Sequence, residues 1–253
     1  MFIAQLGGLG QRWRPVLDRL TTGSATFAYD RRGLGDAPPR PAPNPPLPYG
    51  VFADELAALL DEHRVVEPAV LVGHSIGGHI ARVFAGQLPD RVAGLVFVDA
   101  SIPQFKLWWR DTAPVVDGDG RGATEFDILA GEVEVLSAIV PPVPTVVLTR
   151  RRRWWLTGET IPHPAVDELW WVSQQLLAQQ CHAPLVLADD AGHQIPDEAP
   201  QLVAHVVDSV VRAARAGTPP IVDPASLARA GGRTAPDRWA SPVHQPAGGP
   251  APS

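Results

Sequence analysis

Gly73-His74-Ser75-Ile76-Gly77, with Gly78 after it, is the segment whose residue types and spacing suit covalent chemistry. A serine hydroxyl is a weak nucleophile until the backbone presents it and a base takes its proton. The G-x-S-x-G pattern meets the first need by sterics. A strand-to-helix reversal within a few residues strains the central residue, and close packing there tolerates only small neighbours. Ser75 would sit at a helix N-terminus, where the dipole and free backbone N–H groups, Ile76 N–H among them, favour developing negative charge. Without a strand before it and a helix after it, the same pattern is only a glycine-rich turn. The flanks therefore decide.

Those flanks are of the required kind. Ala69-Val70-Leu71-Val72-Gly73 is a short β-branched run, as a buried strand should be. Helical spacing runs from Gly77 to about Leu88, where Pro89-Asp90 stops it. Upstream, residues 23–30 read as a strand ending in Asp30, and Phe52, Leu56, Leu59 and Leu60 recur at helical spacing. Downstream come strands at Gly94–Asp99, Thr145–Thr149 and Pro184–Ala188. Helices are expected from Pro164 through Leu177 and from about Pro200 to Arg215. Alternating strands and helices imply an α/β fold, a doubly wound, mostly parallel sheet covered on both faces. Residues 1–215 would form this domain, and the Pro-, Gly- and Ala-rich stretch 216–253 reads as a disordered tail.

Composition bounds the rest. The chain has 253 residues and a formal net charge of −6, so nucleic acid, which needs clustered cations, is not the expected partner. The run Arg150–Arg153 is too isolated to change that. Cys181 is the single cysteine, which precludes an intrachain disulfide and fits a cytoplasmic protein. No apolar stretch is long enough for a membrane span, and the first residues make a poor signal peptide.

The elbow in this setting resembles the α/β-hydrolase family, and the resemblance extends from about residue 3 to 212. In that family the nucleophile, the acid and the histidine follow one another along the chain. Ala191-Gly192-His193-Gln194-Ile195-Pro196 is similar to its histidine loop, which implies that His193 is the general base. Gly7-Gly8-Leu9-Gly10 resembles the oxyanion loop, with Leu9 N–H implied as one donor and Ile76 N–H as the other. Asp30-Arg31-Arg32-Gly33-Leu34-Gly35 resembles a turn that is structural in most members. Many members carry the acid just after the strand that here reads Thr145–Thr149, where this chain has arginines. Others carry it after the strand following the nucleophile, which implies Asp99. Asp167, at a helix start, is the alternative. The family has two further edge strands before the oxyanion loop, and this chain begins at the strand leading into that loop. An edge left open in this way invites association, so a homo-oligomer is one expected state.

The resemblance implies a carboxylesterase-like serine hydrolase acting on a small ester or related acyl or carbonyl substrate through a Ser75 acyl-enzyme, with no metal or organic cofactor. Residues 101–143 occupy the place of the family's cap. Trp108 and Trp109 open that segment, and Trp154 follows a strand's C-terminal end. All three are expected to wall a pocket for an apolar group. The rival expectation is a catalytically impaired relative that binds a small ligand, favoured by the uncertain acid.

Overall fold

The computed structural model describes residues 1–40, 45–104, 114–119, 123–151 and 164–235. Its strands are β1 (Phe2–Ile3), β2 (Ala69–His74), β3 (Val92–Val98), β4 (Val115–Gly118), β5 (Ala123–Phe126), β6 (Thr145–Arg150), β7 (Leu185–Ala188) and β8 (Gly232–Thr234). Its α-helices are α1 (Arg14–Leu17), α2 (Tyr49–Glu62), α3 (Ile76–Gln87), α4 (Ile128–Ser137), α5 (Pro164–Gln180), α6 (Ile195–Glu198), α7 (Pro200–Ala216) and α8 (Pro224–Ala230).

The sheet has the order β1-β2-β3-β6-β7-β8, parallel throughout except for antiparallel β8. Its central strands are nearly continuous apolar runs because both faces are covered. Along β3, Leu95 and Phe97 join the core under α2, α3 and α5, whereas Val96 and Val98 join the core under α1, α7 and α8. Gly94 lets α7 approach, since a Cβ there would lie 2.7 Å from Val210 Cγ1. The register His74↔Val98↔Leu148 and Arg150↔Ala188 aligns the C-terminal strand ends along one edge. In sheets of this kind that edge is where sites are built.

Two differences from the sequence reading have physical causes. Residues 23–30 make one isolated bridge, Phe2↔Ala28, rather than a strand. None of them is buried, and β1 offers them a ladder of only Phe2 and Ile3. The stretch read as a disordered tail contains α8 and β8, so the boundary drawn at 215/216 falls inside the folded unit. Asp223 caps α8 through Ser226 N–H, Leu227 is fully buried, and β8 pairs with β7. Composition missed this because it averages over a segment whose one buried leucine and one capped helix suffice to dock it. Residues 101–143, the stretch expected to form a cap, include the β4–β5 hairpin and α4, whose Glu134 accepts from Gly50 N–H at the start of α2. No helix among the described residues is long and apolar enough to cross a membrane.

Candidate active site

Ser75 lies between β2 and α3 with φ 54° and ψ −121°, a conformation that L residues rarely adopt. Close packing holds it there. A Cβ on Gly73 would come 2.5 Å from Gly77 O, and one on Gly77 would come 2.4 Å from Ile3 O. The Ser75 N–H donates to Val98 O at 3.1 Å, and Ser75 O accepts from Gly78 and Ser101 N–H. Such strain collects where a structure over-determines a useful geometry. Ser75 remains half-buried rather than sealed in the core.

Asp99, the residue after β3, also has positive φ, at 42°. Its carboxylate is fully buried. Oδ1 accepts from Thr149 Oγ1 at 2.7 Å, Trp170 Nε1 at 2.8 Å and Arg150 N at 3.2 Å. Oδ2 accepts from Arg150 Nη1 at 2.9 Å and from His193 Nδ1–H at 2.6 Å. Burial alone would push this carboxyl up; the Arg150 guanidinium and the hydrogen bonds from His193 and Thr149 outweigh it and hold it well below the usual carboxylate range. An ionised Asp99 fixes the proton on Nδ1 and leaves Nε2 of His193 as the basic nitrogen. The Trp170 ring meets the imidazole edge-on at 5.6 Å and so limits its rotation.

His74 ties the histidine loop to the elbow. Its Nε2–H donates to His193 O at 2.8 Å, and its Nδ1 lies 3.1 Å from the Gln5 side-chain amide. Burial pushes the His74 imidazole down to about 3, so it is neutral at physiological pH. Gln5 also bonds Gln194, so three segments converge within one residue of Ser75 and His193.

The loop after β1 is pinned from two sides. Arg31 Nη1 and Nη2 donate to Ala4 O and Gln5 O, each at 2.7 Å, and the same guanidinium grips buried Asp117 of β4 in a bidentate pair. Asp117 in turn accepts from Gly7 N–H at 2.7 Å. Gly8 N–H donates to Gln5 O and Gly10 N–H to Asp30, whereas among the described residues the amides of Leu6 and Leu9 find no acceptor. Leu9 leans toward the 30–35 turn, since a Cβ on Gly35 would lie 3.1 Å from its side chain. Leu6 follows the residue that touches His74.

Ser75, Ile76, Asp99 and His193 thus share one sheet edge, with the loop carrying Leu9 beside them. Asp99 is the carboxylate that bonds His193, whereas Asp167 is buried and pairs with Arg150 Nη2 at 2.9 Å. Trp108, Trp109 and Trp154 lie outside the described residues. Arg150, Trp170, Arg31 and Asp117 are the participants that reasoning from sequence missed. Arg150 opens the basic run Arg150–Arg153, and the signal for its burial is its place as the last residue of a β-branched strand. Nothing local marks Asp117 as the partner of Arg31, since 86 residues separate them.

Residues 1–131 match the family model described as the alpha/beta hydrolase fold. Among curated proteins, an sn-1-specific diacylglycerol lipase of Mus musculus is 41% identical over 80 residues, 32% of this chain. That match spans only 24% of the lipase's own length. Among solved structures, a thermophilic esterase from Thermogutta terrifontis superposes with a TM-score of 0.55 at 19% identity, covering 84% of this chain and 89% of the esterase. Tomato methylketone synthase I gives a TM-score of 0.59 at 12% identity over 84% of this chain and 97% of that one. At such identities the two structures speak for the fold alone.

Proposed function

This chain belongs to the alpha/beta hydrolase fold family, and from that premise we propose that it is a serine hydrolase cleaving a small ester or related acyl substrate through an acyl-enzyme on Ser75. The observation that carries the reading is the 2.6 Å bond from His193 Nδ1–H to buried Asp99, anchored beside an elbow that strains Ser75 into positive φ. His193 Nε2 takes the Ser75 Oγ proton as the hydroxyl attacks the carbonyl carbon. The same nitrogen then gives a proton to the leaving alcohol, and a water molecule repeats the sequence to release the acid. Asp99 holds the tautomer and stabilises the imidazolium without taking its proton. The oxyanion faces Ile76 N–H and an amide of the loop after β1, with Leu6 joining Leu9 as a candidate on the hydrogen bonding of that loop. Trp108, Trp109 and Trp154 remain the proposed walls of an apolar acyl pocket. The rival reading, a non-hydrolytic binder, drew on the lack of an evident acid, and the environment of Asp99 speaks against it.

The test is labelling with a fluorophosphonate probe, followed by peptide mapping. Covalent modification at Ser75, lost in Ser75→Ala and in His193→Ala, is the expected result. Labelling elsewhere, or none in the folded protein, refutes the assignment.

A further inference from the structure

Beyond the three residues of the proposed reaction lies a buried chain of charge. Arg150 stands at the C-terminal end of β6, fully buried, with Nη1 on Asp99 and Nη2 on Asp167 at 2.9 Å each. Its guanidinium also lies 5.0 Å over the ring of Trp170, the residue whose indole N–H holds Asp99. A cation lodged against the acid is an unexpected choice if that acid's task is to stabilise an imidazolium. The arginine withdraws part of the negative charge that His193 would otherwise feel, and Asp167 restores part of it from the far side.

We propose that Arg150 and Asp167 are positioning residues that set the basicity of His193, Arg150 lowering it through Asp99 and Asp167 raising it through Arg150. The proposal rests on His193 being the base. Its physical content is Coulombic. All these charges are dry, so substituting one is felt several ångströms away with little screening. Among the described residues, the other titratable groups beside the histidine loop include His74 of β2, which stays neutral, and Glu198 of α6, whose carboxylate accepts from Gly192 N–H. On the more exposed rim, Arg12 pairs with Asp197, and Asp189 pairs with Arg233. None of these changes in the variants below.

The sign is opposite for the two residues, and a merely structural role would not produce that. Arg150→Met removes a positive charge beside the imidazolium, so the titration of His193 should move upward relative to wild type. Asp167→Asn removes a negative charge one step further out, so the titration of His193 should move downward relative to wild type. Arg150→Lys keeps the charge and should leave the titration in place even where packing suffers. The measurement is a long-range ¹H–¹⁵N NMR titration of the His193 ring, assigned with His193→Gln, run beside the pH profile of the fluorophosphonate labelling rate. Opposite displacements in both readouts support the proposal. Titrations that coincide in wild type, Arg150→Met and Asp167→Asn overturn it, as do displacements in the same direction. If Arg150→Met does not fold, Asp167→Asn against Arg150→Lys still decides. Failure of the hydrolase reading is separate: the wild-type protein would then leave Ser75 unlabelled, whatever the NMR titration shows.

Discussion

At the residue scale, the proposed chemistry turns on Asp99. A buried carboxylate is stable only when its lone pairs are satisfied, and here Thr149, Arg150, Trp170 and His193 satisfy them. Asp99→Asn keeps the shape but places a donor where His193 needs an acceptor, so esterase turnover should fall by up to ~10⁴. The same change strands part of the Arg150 charge and should lower stability by about 3 kcal/mol or more. Turnover of p-nitrophenyl acetate and urea denaturation separate the two effects. Retained turnover would move the acid's role elsewhere. If the proposed triad is at work, Ser75→Ala and His193→Ala should each remove nearly all turnover, and the double variant should lose little more, because its members act as a unit. Additive losses would speak against joint action.

Among the elements, the β4–β5 hairpin has the least obvious role. It lies in the stretch expected to form a cap, yet through Asp117 it holds both Arg31 and Gly7 N–H, and so braces the loop that faces the elbow. Asp117→Asn breaks one partner of a buried pair, which should cost about 3–5 kcal/mol. It should also slow fluorophosphonate labelling by loosening the proposed oxyanion donors. Val116→Thr, on the exposed side of the same strand, is the control and should change neither. Equal labelling rates in Asp117→Asn and wild type would confine the hairpin to a structural role.

The whole molecule responds to pH and to the loss of its last docked helix. His74 is neutral in the fold, its imidazole pushed down to about 3 by burial, whereas unfolded it protonates near pH 6.5. Between those values the unfolded state binds the extra proton, so stability falls as pH drops, with a slope approaching 1.4 kcal/mol per pH unit for this one group. Denaturation midpoints at pH 7.5 and 5.0 should therefore diverge in wild type and converge in a folded His74→Asn variant. Asp99 acts in a separate window: its depressed carboxyl contributes stability that begins to be lost only as pH falls below about 4. At the far edge of the sheet, Leu227 of α8 is fully buried in the core under α7. Leu227→Ala should cost about 2–5 kcal/mol in urea denaturation if that segment is integral. An unchanged midpoint would mean that α8 and β8 dock only loosely.

Read alone, the sequence determined what depends on neighbours along the chain. Residue types at spacings of a few positions reveal the central strands, the helices around them and the strand–turn–helix setting of Ser75, because local sterics and periodicity act over such distances. A fold-level resemblance added His193 and offered Asp99 and Asp167 as alternatives. Only tertiary structure sets Asp99 against His193 and Asp167 against Arg150, since both are acidic residues beside regular elements and differ in what the sheet register brings to them. The same holds for Arg150, buried because β6 ends between Asp99 and α5, and for the pairing of Arg31 with Asp117. Buried charges find partners through space rather than through spacing, and a buried ion pair leaves no periodic trace in a sequence.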